Sequence, residues 1–364
     1  MSLGCFTGTR TAQSISRLQY AAVIRGSILA GAKRLPEDAL QVTLREVAVE
    51  AGVALSTASR ALAGRKGVSP AVRRAVEDAS RRMGYRRSAI AASLRTRSTG
   101  ALGMVIPDII NPFFPAIIQG VEHEFARKNL TLVLCDAEDD VDVEAARIET
   151  LLRQRVDALI ICPVDRVKSA GAIRRARRDV RIIQIDRHAL DDADFVGVDD
   201  AMAMAQVVEH VYNAGARTAV FVGTLPGIST IEERERGFIA ACTRFGVEVR
   251  PSIPARGLVV AGRAVARQLV DAGQPPDAIV CAHDLIALGV LSEFRVCGVR
   301  CPEDVLVTGF DDSLPAAELL GLTTVRQPLT DMGREAARLF QHKSGAPRTI
   351  RLMATLIIRS STSR

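Results

Sequence analysis

The sequence predicts an N-terminal all-α module followed by an α/β body of two doubly wound parallel-sheet subdomains. Three observations carry this. Residues 43–63 read TLREVAVEAGVALSTASRALA, which fits two short amphipathic helices joined by a turn. From Ala101 the rhythm changes to apolar run, loop and helix, the pattern of parallel strands covered on both faces. Charge is also segregated. Residues 43–99 hold twelve Lys/Arg against four Asp/Glu and residues 1–42 hold five against two, whereas residues 100–364 hold 31 against 35. A basic module on a mildly acidic body suits a polyanion binder attached to something else.

At 364 residues the chain exceeds one ordinary core. Residues 1–41 carry scattered arginines without the compact apolar core of a secretory signal, and are expected to be a disordered extension. No window holds eighteen uninterrupted apolar residues, so no membrane span is expected. The seven cysteines are odd in number and lack a Cys-x-x-Cys pair. Several end apolar runs (LVLC, LIIC, AIVC), where they read as small buried hydrophobes in a reducing cytoplasm. The five histidines form no metal-ligand pattern, and no metal or cofactor is expected.

Within the module, Leu44, Val47, Ala48 and Ala51 form one apolar stripe, and Thr43 with Glu46 makes a capping box. Gly52 breaks the pattern. The second helix turns Ala58, Ala61 and Leu62 inward, leaving Leu55, Ser56, Thr57, Ser59 and Arg60 outside. Small hydroxyls and one arginine suit major-groove base edges, although an ordinary helical hairpin would show much the same face. Ser69-Pro70 starts a third helix, which ends at Gly84. Ser88 caps a short helical stretch ending at Leu94, and residues 95–100 read as a linker.

In the body, strands are expected at 102–106, 132–135, 158–162, 181–185, 219–222, 279–281 and 305–308, with a last strand at 351–358. Helices are expected at 114–128, 143–153, 202–214, 261–272 and 329–341. Carboxylates recur just past strand ends: Asp136, Asp165, Asp186, Asp284 and Asp311. Ligands of open α/β sheets bind at these ends, where carboxylates accept hydroxyl hydrogens, but each Asp alone fits helix capping equally well.

With these residues in view, the chain resembles the lactose-repressor (LacI) family of bacterial transcription regulators. TLREVAVEAGVALSTASRAL is similar to the family's helix-turn-helix, GVSPAVRRAVEDASRRMGY to its third helix and IAASL to its hinge helix. IPDIINPFF, the Asp186-Arg187 pair, RERGF, HDLIALG, VTGFDD and LTTVRQP follow in family order, so the likeness runs over roughly residues 42–361. Ala54 departs from the pattern at a position where relatives place a capping serine. Arg86-Arg87 stands where Pro-Asn is usual, and His283 replaces a polar residue, often Asn.

The resemblance implies a cytoplasmic repressor whose operator affinity is controlled by a small effector such as a sugar or sugar acid. Its body would be periplasmic-binding-protein-like. The implied DNA-contacting residues are Thr43, Leu55, Ser56, Thr57, Ser59 and Arg60, with Ser88, Ala91 and the wedge Leu94 in the hinge. The implied effector residues are Asn111, Phe113, Phe114, Asp186, Arg187, Arg234, His283, Asp284, Asp311 and Gln327. Partners would be a pseudo-palindromic operator in duplex DNA, the effector, and a second copy of the chain in a homodimer or higher oligomer.

The implied domains are the extension 1–41, the DNA-binding module 42–87, the hinge and linker 88–100, and the core 101–364. Subdomain 1 would comprise about 101–198 and 327–348, and subdomain 2 about 199–326 and 349–364. A solute-binding protein would share the α/β body but lack the basic module. An enzyme would need a catalytic motif, and no Gly-x-Ser-x-Gly, His-Glu-x-x-His, P-loop or dinucleotide fingerprint is present.

Overall fold

The computed structural model describes residues 42–85, 99–128, 130–256, 259–273, 275–342 and 345–363. They form two compact units, one before and one after the segment 86–98. The expected extension 1–41 and the hinge residues Ser88, Ala91 and Leu94 lie outside the described residues.

The first unit holds helices α1 (Leu44–Glu50), α2 (Leu55–Leu62) and α3 (Pro70–Arg82). Their shared core is Val47, Ala48, Ala58, Ala61, Val76 and Ala79. Four of these six are alanine and two of the helices are short, so none of the three helices would persist without the others. Thr43 forms the expected capping box with Glu46, accepting from its amide at 3.3 Å while the Glu46 carboxylate accepts from the Thr43 amide at 2.7 Å. Ala54 gives α2 no side-chain cap. The other end of α2 is better held, because Arg73 donates to the carbonyls of Ala61 and Arg65 at 3.2 and 2.8 Å.

The second unit contains two six-stranded sheets. Sheet 1 runs β11-β5-β4-β3-β1-β2. Its strands are β1 (Ala101–Ile106), β2 (Thr131–Asp136), β3 (Ala158–Ile161), β4 (Arg181–Ile185), β5 (Asp194–Val198) and β11 (Thr349–Leu352), all parallel. The connecting helices are α4 (Phe114–Ala126), α5 (Val141–Arg153) and α6 (Ala170–Ala176). Sheet 2 runs β12-β10-β9-β8-β6-β7. It comprises β6 (Thr218–Thr224), β7 (Glu248–Pro254), β8 (Ala278–Cys281), β9 (Leu306–Asp311), β10 (Thr323–Arg326) and an antiparallel β12 (Thr355–Ile357). Its helices are α7 (Asp200–Asn213), α8 (Ser229–Phe245), α9 (Val259–Asp271), α10 (Asp284–Cys297) and α11 (Pro315–Leu319), while α12 (Leu329–Gln341) returns to cover sheet 1.

Two features differ from the sequence expectation. The single strand expected at 351–358 is two strands in different sheets, with Met353-Ala354 crossing between them. Residues 349–352 therefore belong to the first sheet, not the second. The apolar run continues through the crossing, so nothing in hydrophobicity alone marks the bend. Strands β5, β7 and β10 were also absent from the expected set. β7 reads EVRPSIP, an edge strand that tolerates proline, and β10 is a short, threonine-rich TTVR.

Close helix packing fixes the layers. A Cβ on Gly120 of α4 would lie 2.1 Å from the Thr330 carbonyl of α12, and one on Gly333 equally close to the Ile117 carbonyl. Only glycine lets these backbones approach so far. The chain crosses between sheets after β5, between β10 and α12, and between β11 and β12. Three strands of connection suit a hinge between two rigid bodies.

Candidate functional site

A cavity of about 330 Å³ lies between the C-terminal ends of the two sheets. Parallel strands feed their following loops to this end, so residues distant in sequence converge there. Nine of the ten expected effector residues line it: Asn111, Phe113, Phe114, Asp186, Arg187, Arg234, His283, Asp284 and Asp311. Gln327 does not. It is buried behind Asp311, donating to its carboxylate at 2.8 Å.

The first sheet supplies mostly an apolar wall. Asn111 accepts from the Phe113 amide at 3.0 Å and so shapes the turn that starts α4. Phe113 and Phe114 pack edge to face, with centroids 5.3 Å apart. Asp186 adopts a left-handed backbone (φ 62°) and lies 3.8 Å from Arg187. Burial pushes the Asp186 carboxyl up, opposed by the charge of Arg187. Nε and Nη1 of Arg187 are buried without a hydrogen-bond partner among the described residues. Such donors are costly to leave unmet, so they point to a ligand acceptor.

The second sheet supplies the charged wall. Arg234 of α8 donates from Nε to Asp200 at 2.8 Å and from Nη1 to the Ala282 carbonyl at 2.9 Å. Its guanidinium lies 3.6 Å from the Phe310 ring centroid and 3.8 Å from Asp311. A planar, delocalised cation suits this stacked and forked position as lysine would not. Asp284 opens α10, and one of its oxygens accepts from the Thr324 hydroxyl at 2.6 Å. The other is buried with no partner among the described residues.

Burial raises the carboxyls of both Asp284 and Asp311. A protonated member of this set can donate as well as accept, which suits a ligand bearing hydroxyls. His283 is held neutral, its pKa pushed down to about 3 by burial and then by Arg234 and Arg187. It too offers one donor and one acceptor.

Asp311 (φ 118°) and Asp312 (φ 49°) both occupy left-handed backbone, a strained placement that turns the two carboxylates apart. Asp311 faces the cavity, while Asp312 pairs with Arg326 at 2.6 Å and Arg359 at 2.9 Å. Of the other strand-end carboxylates, Asp136 accepts from the Ile109 and Glu138 amides, and Asp165 from those of Val167 and Lys168. These two carboxylates close loop turns and cap no helix, since Asp140 caps α5 and Ser169 occupies the N-cap position of α6. Sequence reasoning missed Asp139 and Arg256, which pair across the cavity mouth at 3.7 Å. The left-handed φ of Asp139 (53°) is a backbone feature that spacing does not disclose.

In the first unit, α2 exposes Leu55, Ser56 and Arg60, while Thr57 and Ser59 are half-buried. The Arg60 Nε donates to the Ser56 carbonyl at 3.3 Å, laying the guanidinium along the outer face. Thr43 serves as a helix cap.

A helical unit with an exposed polar second helix, joined to a two-sheet body with a polar cleft, defines a class: a helix-turn-helix regulator with a periplasmic-binding type of body. Residues 43–88 match the family described as bacterial regulatory proteins, lacI family, and residues 208–362 match the periplasmic binding protein-like domain. The HTH-type transcriptional regulator MalR of Streptomyces coelicolor is 31% identical over 337 residues, covering 88% of this chain and 96% of its own. The HTH-type transcriptional repressor CytR of Escherichia coli is 29% identical over 331 residues, with the same coverage of each chain.

Among solved structures, the transcriptional regulator CelR–cellobiose complex has a TM-score of 0.66 at 28% identity, covering 88% of this chain and 99% of that one. The lac repressor dimer bound to operator and an anti-inducer has a TM-score of 0.80 at 22% identity over 88% and 99%, a likeness of fold. The chain belongs to the LacI family and is a DNA-binding transcriptional regulator, not an enzyme. Among the described residues no helix is long and apolar enough to cross a membrane.

Proposed function

We propose that the chain is a homodimeric cytoplasmic repressor that reads a pseudo-palindromic operator through α2 and is controlled by a small polyhydroxylated or sugar-acid effector. The observation that carries the effector reading is the cleft chemistry. Buried Arg234 and Asp284 and half-buried Asp311 face a cavity that also holds the unmet donors of Arg187. Closing the sheets on a ligand would satisfy these groups, and such a closure biases whatever is coupled to the hinge. The similarity to CelR, whose structure is a complex with cellobiose, supports a sugar as the ligand class.

On the DNA side, Leu55, Ser56, Thr57, Ser59 and Arg60 would meet the major groove, with Arg60 placed for a bidentate contact to guanine. Two copies related by a two-fold axis would read two inverted half-sites. Ser88, Ala91 and Leu94 would join them, Leu94 as a minor-groove wedge.

Selection of duplexes from a random pool by the full chain tests this. Wild type should enrich an inverted repeat, and Arg60→Ala should lose discrimination at one position of each half-site by about 1–3 kcal/mol. Enrichment of no sequence, or of the same sequence with undiminished preference in the variant, would contradict the assignment.

A further inference from the structure

Turns from a helix to the next strand lie at the N-terminal ends of the strands, the edge of each sheet opposite the cleft. In sheet 1 the turns α4–β2, α5–β3 and α6–β4 span residues 127–130, 154–157 and 177–180. They hold five basic residues (Arg127, Lys128, Arg155, Arg177 and Arg178) against two acidic ones (Asp157 and Asp179). All five basic residues are exposed. Arg177 pairs with Asp192; the other four have no ion pair among the described residues. Asp157 is turned inward, accepting from the amides of Thr99 and Gly100 at 2.8 Å each.

Helix C-termini attract cations, and that alone could place arginines here. Sheet 2 provides the control. Its corresponding turns, α8–β7, α9–β8 and α10–β9, span residues 246–247, 272–277 and 298–305. They hold one basic residue, Arg300, against three acidic ones, Asp277, Glu303 and Asp304, and Arg300 is paired with Asp304 at 2.6 Å. The last turns of α8 and α10 carry Arg244 and Arg295, as the dipole favours, yet the turns that follow them are net acidic, so the dipole alone does not make a turn basic.

The location is specific as well. The segment from the first unit joins sheet 1 in the middle of this edge. Thr99 donates from its hydroxyl to the Arg155 carbonyl at 2.9 Å, and the Gly100 carbonyl accepts from the Thr131 amide at 2.8 Å. The basic turns therefore flank the tether, and thirteen residues (86–98) separate Thr99 from the end of the first unit's described residues. A duplex held by the first unit stays at high effective concentration beside any surface joined by so short a segment.

We propose that the basic edge of sheet 1, formed by Arg127, Lys128, Arg155 and Arg178, is a second phosphate-contacting surface that engages duplex DNA flanking the operator. The inference rests on the reading that α2 binds DNA. Exposed, unpaired guanidinium groups contact phosphates without reading sequence, so the edge adds affinity and salt dependence but no base preference.

The test uses a duplex selected by wild-type chain, prepared as the bare site and with flanks of about 15 base pairs on each side. Wild type should bind the flanked duplex more tightly. The combined variant Arg127→Gln, Lys128→Gln, Arg155→Gln and Arg178→Gln should lose that gain, about tenfold, with a shallower dependence of log K on log salt. Its affinity for the bare site should match wild type, and Arg300→Gln should behave as wild type on both. An unchanged flank-dependent gain in the variant would overturn the inference and direct the edge to another polyanion, such as an acidic protein. Equal loss on both duplexes would overturn it as a loss of general charge. If wild type selects no duplex at all, the DNA-reading proposal fails and this one with it.

Discussion

Sheets 1 and 2 share strand order and direction in all but one edge strand, β11 or β12, yet they carry different chemistry at both ends. At the cleft, sheet 1 presents Phe113, Phe114 and an arginine with unmet donors, whereas sheet 2 presents an arginine bonded into a buried network. At the opposite edge, sheet 1 is basic and sheet 2 acidic. The strands between are near-continuous apolar runs in both. Topology thus follows from the strand interiors, and function is distributed among the loops, where substitution leaves the sheet intact.

The sharpest way to break this comparison is at the two cleft arginines. Arg234→Ala leaves Asp200, itself pushed up to about 6 by burial, without its cation, alongside Asp186 and Asp311. Stripping one partner from a buried pair typically costs about 3–5 kcal/mol, measurable by urea unfolding. Next in size is the helix seam under sheet 1. Gly120→Ala forces a methyl group into the Thr330 carbonyl and should cost about 1–3 kcal/mol by the same measurement. Arg187→Leu should cost less than either, because two of its buried nitrogens make no hydrogen bond to lose and only its 3.8 Å contact with Asp186 is removed, while effector binding weakens. An Arg187→Leu loss as large as that of Arg234→Ala would erase the distinction between the walls.

A separate effect concerns pH. His283 titrates near 6.5 when unfolded and near 3 when folded. Between these values the unfolded chain binds more protons, so acidification favours unfolding and stability rises with pH across this window. His283→Gln should flatten the slope between about pH 6 and pH 4. A slope unchanged by the substitution would mean that His283 is not held neutral by the cleft.

Much of this organisation was legible in the sequence, and the exceptions have physical causes. β1, β3, β4 and β8 announce themselves as apolar runs, whereas β7 is a polar edge strand and β10 a short threonine-rich one. The Thr43–Glu46 capping box and the uncapped Ala54 are local, so spacing sufficed for both. Asp136 and Asp165 look like Asp186 and Asp311 in sequence. Only the turns they close distinguish them. Gln327 has the right chemistry for the cavity but spends it on Asp311. Asp139 and Arg256 come from loops of different sheets, and their meeting depends on how the two sheets face each other.

The central claim is that occupancy of the cleft and occupancy of DNA are coupled. A panel of sugars, sugar acids and nucleosides would first be screened for compounds that raise the melting temperature of the full chain. The decisive measurement is the Kd for a labelled selected duplex, by fluorescence anisotropy, with and without a compound so identified. Coupling predicts a change of about 5-fold or more in either direction, and its loss in Arg187→Leu. A compound that binds the wild-type cleft while leaving the duplex Kd unchanged would contradict the account.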